Sequence, residues 1–148
     1  MSDYQNIVVA VDGSKEAEFA LHKAIGLAKH GEDTTLTIVK VIDTFTIANN
    51  EIPLMEQEQK QSEELVNNYR TLAQSQGVRH VEALVKEGSP KKVITEEVAP
   101  AVSADLIACG ATGLKGVEQF FLGSVSEAIV IHAKCDVLVV RKDEQVND

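Results

Sequence analysis

The chain has 148 residues, 44% of them hydrophobic, which is enough to bury the core of one compact domain over residues 1–148. Its net charge is −9, from 23 acidic against 14 basic residues, and such a field repels nucleic acids and anionic lipid surfaces. No apolar run approaches the roughly 20 residues of a membrane span, and the first residues lack the basic-then-apolar pattern of a signal peptide. We therefore expect a cytoplasmic protein that contacts neither membranes nor nucleic acids.

The first apolar run, IVVAV at residues 7–11, is continuous and β-branched, which is typical of a parallel strand covered on both faces. After Asp12, Ser14 can cap a helix in which alanines recur at helical spacing and so form one face. We expect this helix to end at Gly31. Strands and helices alternate from there, and the polar tail 142–148 is expected to fray. The five predicted strands cover residues 7–11, 36–42, 81–85, 105–109 and 137–140.

The longest predicted loop is the polar stretch 43–53, which leaves the second strand and leads into a helix that ends at Gly77. It is a candidate lid over a ligand at the end of that strand. Ser89 and Pro90 are typical of the N-cap and the first residue of the following helix.

Strands that alternate with helices imply right-handed crossovers, so the predicted fold class is α/β: a doubly wound, five-stranded parallel sheet with helices on both faces. In such Rossmann-like sheets a ligand binds outside the carboxyl ends of the strands, where the winding direction reverses. Asp12, Val41 and Gly110 each fall at or near a predicted strand end. We expect the fold to bring these three separated parts of the chain to one crevice.

The two cysteines, Cys109 and Cys135, lie in apolar, strand-like runs. If Cys109 ends one strand and Cys135 begins its parallel neighbour, a rise of about 3.3 Å per residue places the thiols beyond disulfide reach. Both are expected to be buried, free thiols of a reducing compartment.

The sequence GATGLKGVEQFFLGSVS, which starts at Gly110, has the outline of a phosphate-binding loop. Gly110 and Gly113 follow an apolar run, and glycine permits both a positive φ and a close approach of backbone amides to an anion. Gly123 and Ser124 follow, where Ser124 and Glu127 would form a capping box at a helix N-terminus that an anion could use. An ordinary strand-to-helix turn with a capped helix is the other interpretation of these residues.

With these residues assembled, the chain resembles the universal stress protein family over nearly its whole length. VAVDGS at residues 9–14 is similar to the family's first strand and acidic turn, GSP at residues 88–90 to its third strand-to-helix turn, and residues 135–141 to its last strand. The most specific feature is the spacing Gly-x2-Gly-x9-Gly-Ser, which marks the ATP-binding branch of the family. The residues that match it are Gly110, Gly113, Gly123 and Ser124.

The resemblance implies the adenine nucleotide alpha hydrolase-like variant of the fold and a site for ATP, or for ADP or AMP. Asp12 would contact the ribose or hold a magnesium ion near the phosphates, and Val41 would recognise the base through its backbone. Ala10 and Cys109 would lie along the adenine and the sugar. The residues that would surround the phosphates are Gly110, Gly113, Gly123, Ser124, Val125 and Ser126.

The resemblance also implies a homodimer in which the last strands pair, with Val137 to Val140 as the seam. Proline is frequent before this strand in the family, whereas this chain has Lys134 and Asp136 there. Two opposite charges would therefore lie near the seam.

A second departure concerns the glycine loop. Many members of the family have a basic or imidazole side chain between the first two glycines, whereas this chain has Ala111 and Thr112. A charge that would neutralise phosphate is therefore missing there, and Lys115 is the nearest base that could replace it, although a solvated loop lysine is an equal interpretation. Asp12 also has a second interpretation, as a side chain that only caps the turn after the first strand.

Three other classes of protein fit less well. A phospho-receiver domain needs an acidic cluster around an aspartate after the third strand, where this chain reads KEG at residues 86–88. A flavodoxin-like carrier needs a phosphate loop after the first strand and aromatic side chains around the flavin, but aromatic residues make up only 4% of the chain. A P-loop ATPase needs a glycine loop that ends in Lys-Ser or Lys-Thr, and the sequence has none.

We therefore expect an ATP-binding stress-response protein, not an enzyme, in which any hydrolysis or autophosphorylation is slow and a regulatory protein partner responds to nucleotide occupancy. Gly113→Val is expected to abolish nucleotide binding and leave the fold intact. The competing hypothesis is a dimeric interaction scaffold of the same fold that binds no nucleotide.

Overall fold

The computed structural model describes residues 4–44, 52–112 and 122–141, with the backbone alone at residues 52 and 53. The strands are β1 Asn6–Val11, β2 Thr35–Asp43, β3 His80–Gly88, β4 Leu106–Gly110 and β5 Asp136–Val140. The helices are α1 Lys15–Ala28, α2 Ile52–Ser75, α3 Pro90–Lys92, a π-helical segment Val93–Val98, α4 Ala99–Val102 and α5 Ser124–His132. All strand pairs are parallel and the sheet order is β3-β2-β1-β4-β5, which confirms the predicted α/β class.

The helices lie on both faces of the sheet because the chain reverses its direction of travel across it. From β1 the chain moves to β2 and β3 on one side, and then returns past β1 to β4 and β5 on the other. Right-handed crossovers therefore place α1 and α2 on one face, and residues 90–102 and α5 on the opposite face. Alternate residues of β1 enter two separate apolar cores: Ile7, Val9 and Val11 face α1 and α2, whereas Val8 and Ala10 face the other helices.

The predicted strands are all present, and β3 shows the largest difference in length. It continues through Lys86 and Glu87, and Gly88 still pairs with Asp43 of β2. As an edge strand, β3 exposes part of its side chains to water, so charged residues do not end it. Its polar end therefore could not be distinguished from a loop in the sequence.

Helix α1 forms where the sequence predicts it. Ser14 is the N-cap, and its side-chain oxygen accepts a hydrogen bond of 3.2 Å from the amide of Ala17. The small residues of its inner face allow the helix to approach the sheet closely. The buried residues of α1 are Ala17, Ala20, Leu21, Ala24, Ile25 and Ala28.

The helical segment 90–102 departs from regular α-helix. Ser89 and Pro90 occupy the predicted N-cap and first helical positions, but the Ser89 side chain makes no capping hydrogen bond. The turns before Pro100 are π-helical, and the amide of Ala99 bonds to the carbonyl of Ile94, five residues earlier. We attribute the wide turns to Pro100, which has no N–H and whose ring would press on the carbonyl of Glu96 in a regular helix.

Two other predicted segments, the candidate lid and the polar tail, lie largely outside the described residues. Because β2 extends to Asp43 and α2 begins at Ile52, the candidate lid is shorter than expected, and residues 45–51 lie outside the description. The tail 142–148 lies outside it as well. Of the helices in the described parts of the chain, none combines the length and the apolar character that a membrane crossing requires.

Candidate functional site

The carboxyl ends of β1 and β4 lie side by side in the sheet, and the chain winds away from them in opposite directions. Such a switch point is where open α/β sheets bind their ligands. Asp12 directly follows β1, and Gly110 is the last residue of β4. Val41 lies near the end of β2, on the other side of β1. The predicted meeting of these three strand ends is confirmed.

The turn after β1 is built around Asp12. Its Oδ1 accepts a hydrogen bond of 2.8 Å from the amide of Ser14, and between them Gly13 has a φ of 88°, which L side chains rarely adopt. This is the Asx turn that the sequence allowed. The turn holds the carboxylate at the end of the strand and starts α1 immediately beyond it.

Gly110 lies against the first turn of α1. A Cβ at this position would come within 2.9 Å of the Ala17 nitrogen and 2.9 Å of the Glu16 carbonyl carbon. Only glycine permits this approach, because both neighbours are backbone atoms that cannot rotate away. The first glycine of the loop therefore has a packing function between β4 and α1, whatever ligand the loop binds.

Beyond Gly110, the loop is tied to α1 by a side chain that the sequence analysis did not select. Glu16 Oε1 accepts two hydrogen bonds from Thr112, one from the backbone amide and one from the side-chain hydroxyl, each of 2.7 Å. A carboxylate thus lies beside residue 112, in the part of the loop where many members of the family that the sequence resembles have a basic or imidazole side chain. Acidic residues are common in the first turn of a helix, so the sequence contained no signal that this one would reach residue 112.

The amino end of α5 is fastened to the residue after β4. The amide of Gly123 donates to the Ala111 carbonyl oxygen over 2.7 Å. Ser126 Oγ also donates to this oxygen over 2.7 Å and lies 3.0 Å from the Gly123 carbonyl oxygen. Ser126 is buried, so its hydroxyl serves to join α5 to the loop, whereas its amide belongs to the first turn of the helix.

The predicted capping box was wrong. The N-cap of α5 is Gly123, with no side-chain capping bond, and Ser124 is already the first helical residue. The box requires the serine to precede the helix in extended conformation, and the two bonds to Ala111 place Gly123 there instead. Among the described residues none accepts a hydrogen bond from the amides of Ser124, Val125 and Ser126, which as first-turn amides have no partner within the helix.

An apolar floor extends from these amides under the strand ends. It belongs to the core that faces α5, where buried Val41 and Cys109 pack with the partly buried Ala10 and Val125. Burial raises the pKa of the Cys109 thiol to about 12, so it is a neutral, apolar group here. The three residues expected along a base and a sugar, Ala10, Val41 and Cys109, therefore share one cluster with Val125, which was expected near the phosphates.

The predicted site residues that the structure describes thus lie together. Gly113 and the candidate base Lys115 fall in the stretch 113–121, outside the described residues, so their predicted roles stay predictions. Both cysteines are free, as expected, although Cys135 is only half-buried. In the described segments, no three acidic, histidine or cysteine side chains converge into a metal site.

A second concave feature lies away from these strand ends. It is an open groove of about 640 Å³ between α1 and the start of β5. Leu27 and Leu138 contribute apolar walls, and His22, Lys23 and Asp136 contribute charge. Asp136 Oδ2 also accepts a hydrogen bond of 2.7 Å from the Tyr4 hydroxyl. Its described lining includes the start of the edge strand β5 and none of the residues 110–112.

Comparison with known proteins agrees with this fold. A Staphylococcus epidermidis protein named "Putative universal stress protein SERP1273" is 49% identical over 151 residues, which cover 100% of this chain and 90% of that protein. Universal stress protein UspA from Lactobacillus plantarum has 25% identity and a TM-score of 0.85, over 95% of this chain and 100% of that one. A universal stress protein solved in complex with cAMP has 26% identity and a TM-score of 0.70, over 96% and 100%.

The model of the universal stress protein family itself matches residues 3–141. This match covers nearly the whole chain, including all five strands, Asp12 after β1 and the start of α5. The chain therefore belongs to the universal stress protein family.

Proposed function

We propose that this protein binds an adenine nucleotide, ATP or its products ADP and AMP, at the carboxyl ends of β1, β2 and β4. The observation that supports the proposal most directly is the meeting of two complementary surfaces at the switch point. The first-turn amides of α5 form a polar end suited to phosphate, and the cluster of Ala10, Val41, Cys109 and Val125 forms an apolar floor suited to a base. The structure of a relative in complex with cAMP supports the same class of ligand.

The roles of the residues follow from their positions. The amides of Ser124, Val125 and Ser126 would bind phosphate oxygens, with Gly110 and Gly123 letting the backbone pass close to them. Gly113 lies outside the described residues, and we propose the same role for it from the spacing of the glycines alone. The Asp12 carboxylate has one oxygen committed to Ser14, and it would contact the ribose or share a magnesium ion with the phosphates. Magnesium prefers oxygen ligands and is commonly held by one or two carboxylates together with nucleotide phosphates.

We further propose that the protein acts as a cytoplasmic, nucleotide-dependent regulator of a stress response and not as an enzyme with rapid turnover. Phosphoryl transfer depends on positioning and on neutralising the developing charge. Among the described residues, the carboxylates of Asp12 and Glu16 lie beside the start of the loop, and a carboxylate does not neutralise that charge. Hydrolysis or autophosphorylation should therefore be slow.

Calorimetry with ATP and magnesium tests the proposal on protein freed of co-purified nucleotide. The wild-type protein should bind, and Gly113→Val should not. Gly26→Val is a matched control, because a Cβ at Gly26 has no atom within 4 Å, and it should bind like the wild type. Absence of binding by the wild-type protein would overturn the proposal and favour the nucleotide-free scaffold.

We also propose that two copies of the chain pair through β5. The two edges of the sheet differ in chemistry: β3 carries Glu82, Lys86 and Glu87, whereas β5 reads DVLVV. Charged residues protect an edge strand from pairing, and an apolar edge favours it. The apolar edge continues into the groove lined by Leu27, and α5, which packs near β5, exposes Val130 and Ile131.

Light scattering coupled to size exclusion tests the dimer. The wild-type protein should show twice the monomer mass of 16.0 kDa. Val137→Lys places a charge on the edge and should give monomers. Leu54→Lys adds the same charge at an exposed leucine of α2, beyond the opposite side of the sheet, and should leave the dimer intact. A monomeric wild type at every concentration would contradict the proposal.

A further inference from the structure

The contact between Glu16 and Thr112 lies inside the candidate phosphate site, and nucleotide binding as described above does not explain it. Glu16 Oε1 is 2.7 Å from both the amide nitrogen and the hydroxyl oxygen of Thr112. Hydrogen bonds to an ionised carboxylate are short and about twice as strong as neutral ones. Backbone amides early in a glycine loop are the groups that phosphate uses, so an anion of the protein itself already occupies one of them.

The residue that carries this carboxylate is held close to the loop by packing of its backbone. Gly110 packs so closely on α1 that a Cβ there would be 2.9 Å from the Glu16 carbonyl carbon. Ser14 fixes the start of the same helical turn, and the N-terminal end of a helix stabilises negative charge. The backbone of Glu16 is therefore held beside the loop, and from there its side chain reaches Thr112.

We propose that Glu16 is a specificity-determining residue of this site, an internal anion that competes with nucleotide phosphate for Thr112. This rests on the proposed nucleotide binding. A phosphate oxygen and the carboxylate cannot both accept the same N–H, and two anions side by side repel each other. The site therefore disfavours a triphosphate more than a nucleoside, and Glu16 lowers the preference for ATP over adenosine.

Calorimetric titrations with ATP and with adenosine test this proposal. Glu16→Gln keeps the shape of the side chain and an oxygen that accepts from Thr112, but removes the charge. It should bind ATP roughly tenfold more tightly than the wild type, because one competing charge-assisted contact becomes neutral. Adenosine affinity should stay unchanged within about twofold, because no phosphate is involved.

Two further variants separate this effect from changes in net charge or in folding. Glu18→Gln makes the same change of net charge in the same helical turn, where the carboxylate instead accepts from Tyr69, and it should leave ATP affinity as in the wild type. Thr112→Val removes one of the two bonds that hold Glu16 and should raise ATP affinity less than Glu16→Gln does. Hydrogen exchange of the Thr112 amide should accelerate in Glu16→Ala.

The outcomes distinguish this inference from the proposed function. If the wild type and Glu16→Gln bind ATP equally and both bind adenosine, nucleotide binding stands and the competition is overturned. If Glu18→Gln raises ATP affinity as much as Glu16→Gln does, the effect is one of net charge and the specific role of Glu16 fails. If neither protein binds ATP or adenosine, the proposed function fails and the competition fails with it.

Discussion

A side-chain carbon at Gly110 would lie 2.9 Å from the backbone nitrogen of Ala17. The end of β4 and the first turn of α1 are therefore in contact at a distance that only glycine allows. This contact gives the first glycine of the loop a function in folding, separate from any part in binding phosphate. It also means that variants of Gly110 test the packing of the sheet before they test the ligand.

Gly110→Ala should destabilise the protein by about 1–3 kcal/mol, because the added methyl group overpacks a contact between backbone atoms. For a domain of this size the melting temperature should fall by about 2–4 °C per kcal/mol. Thermal unfolding followed by circular dichroism measures the change. Gly26→Ala is the control: its Cβ meets no atom within 4 Å, and alanine in a helix should stabilise by about 0.5–1 kcal/mol. Equal melting of Gly110→Ala and the wild type would contradict the close contact.

Ser124→Pro isolates the first amide of α5. Gly123 has φ −67° and ψ 163°, the extended conformation that a residue before proline adopts, and proline is well tolerated at the first helical position. The variant should fold like the wild type yet bind ATP about tenfold more weakly, because a hydrogen bond to a charged group contributes about 1.5–3 kcal/mol.

Ser124→Ala is the companion variant, since it removes the hydroxyl and keeps the amide. If the amide is what binds phosphate, the alanine variant should bind ATP more tightly than the proline variant. Thermal unfolding first checks that the two variants have similar melting temperatures. Calorimetry then compares their affinities for ATP. Wild-type affinity in Ser124→Pro would remove this amide from the site.

The two thiols should differ in reactivity. Burial raises the pKa of Cys109 to about 12, and only the thiolate reacts with disulfide reagents. Cys135 is half-buried, and burial together with Asp105 and Asp136 raises its pKa as well. In native protein at neutral pH we expect slow labelling of Cys135 alone, counted by mass spectrometry, with Cys109 labelled only in denaturant. Rapid native labelling of a Cys135→Ala variant would contradict the burial of Cys109.

Stability should fall in alkaline solution because of Tyr69. Burial, the charge of Glu18 and the hydrogen bond to it, and the charge of Asp12 raise the pKa of Tyr69 from 10.0 to about 12. The native state therefore keeps a proton that the unfolded state loses between these values, so the free energy of unfolding decreases as pH rises from 10.0 to about 12. Below pH 10.0 both states keep the proton of Tyr69, so the free energy of unfolding has its full value and no longer depends on this titration.

Tyr69→Phe tests that explanation. At neutral pH it should unfold at a slightly lower urea concentration, because the hydrogen bond of 3.1 Å to Glu18 is lost. Between pH 10.0 and about 12 it should lose less stability than the wild type, because no phenol remains to ionise. Parallel urea titrations at neutral pH and at the middle of that interval measure both effects. An identical alkaline loss in the two proteins would contradict the assignment to Tyr69.

Much of the fold could be predicted from the sequence because its determinants are local. A continuous β-branched run such as residues 7–11 predicts a strand covered on both faces, and Ser14 with the alanine spacing after it predicts the start and inner face of α1. Once strands and helices alternate, crossover handedness settles the parallel sheet and brings Asp12, Val41 and Gly110 to one edge.

The tertiary structure decided what those local patterns leave open. Glu16 and Thr112 are 96 positions apart, and nothing near either residue in the chain indicates their contact. Ser124 and Glu127 have a valid capping spacing, yet the two bonds to Ala111 make Gly123 the cap. Such contacts form only when the crossovers bring separate segments together in the assembled sheet. The cap of α1 and its apolar periodicity depend instead on neighbours within a few residues.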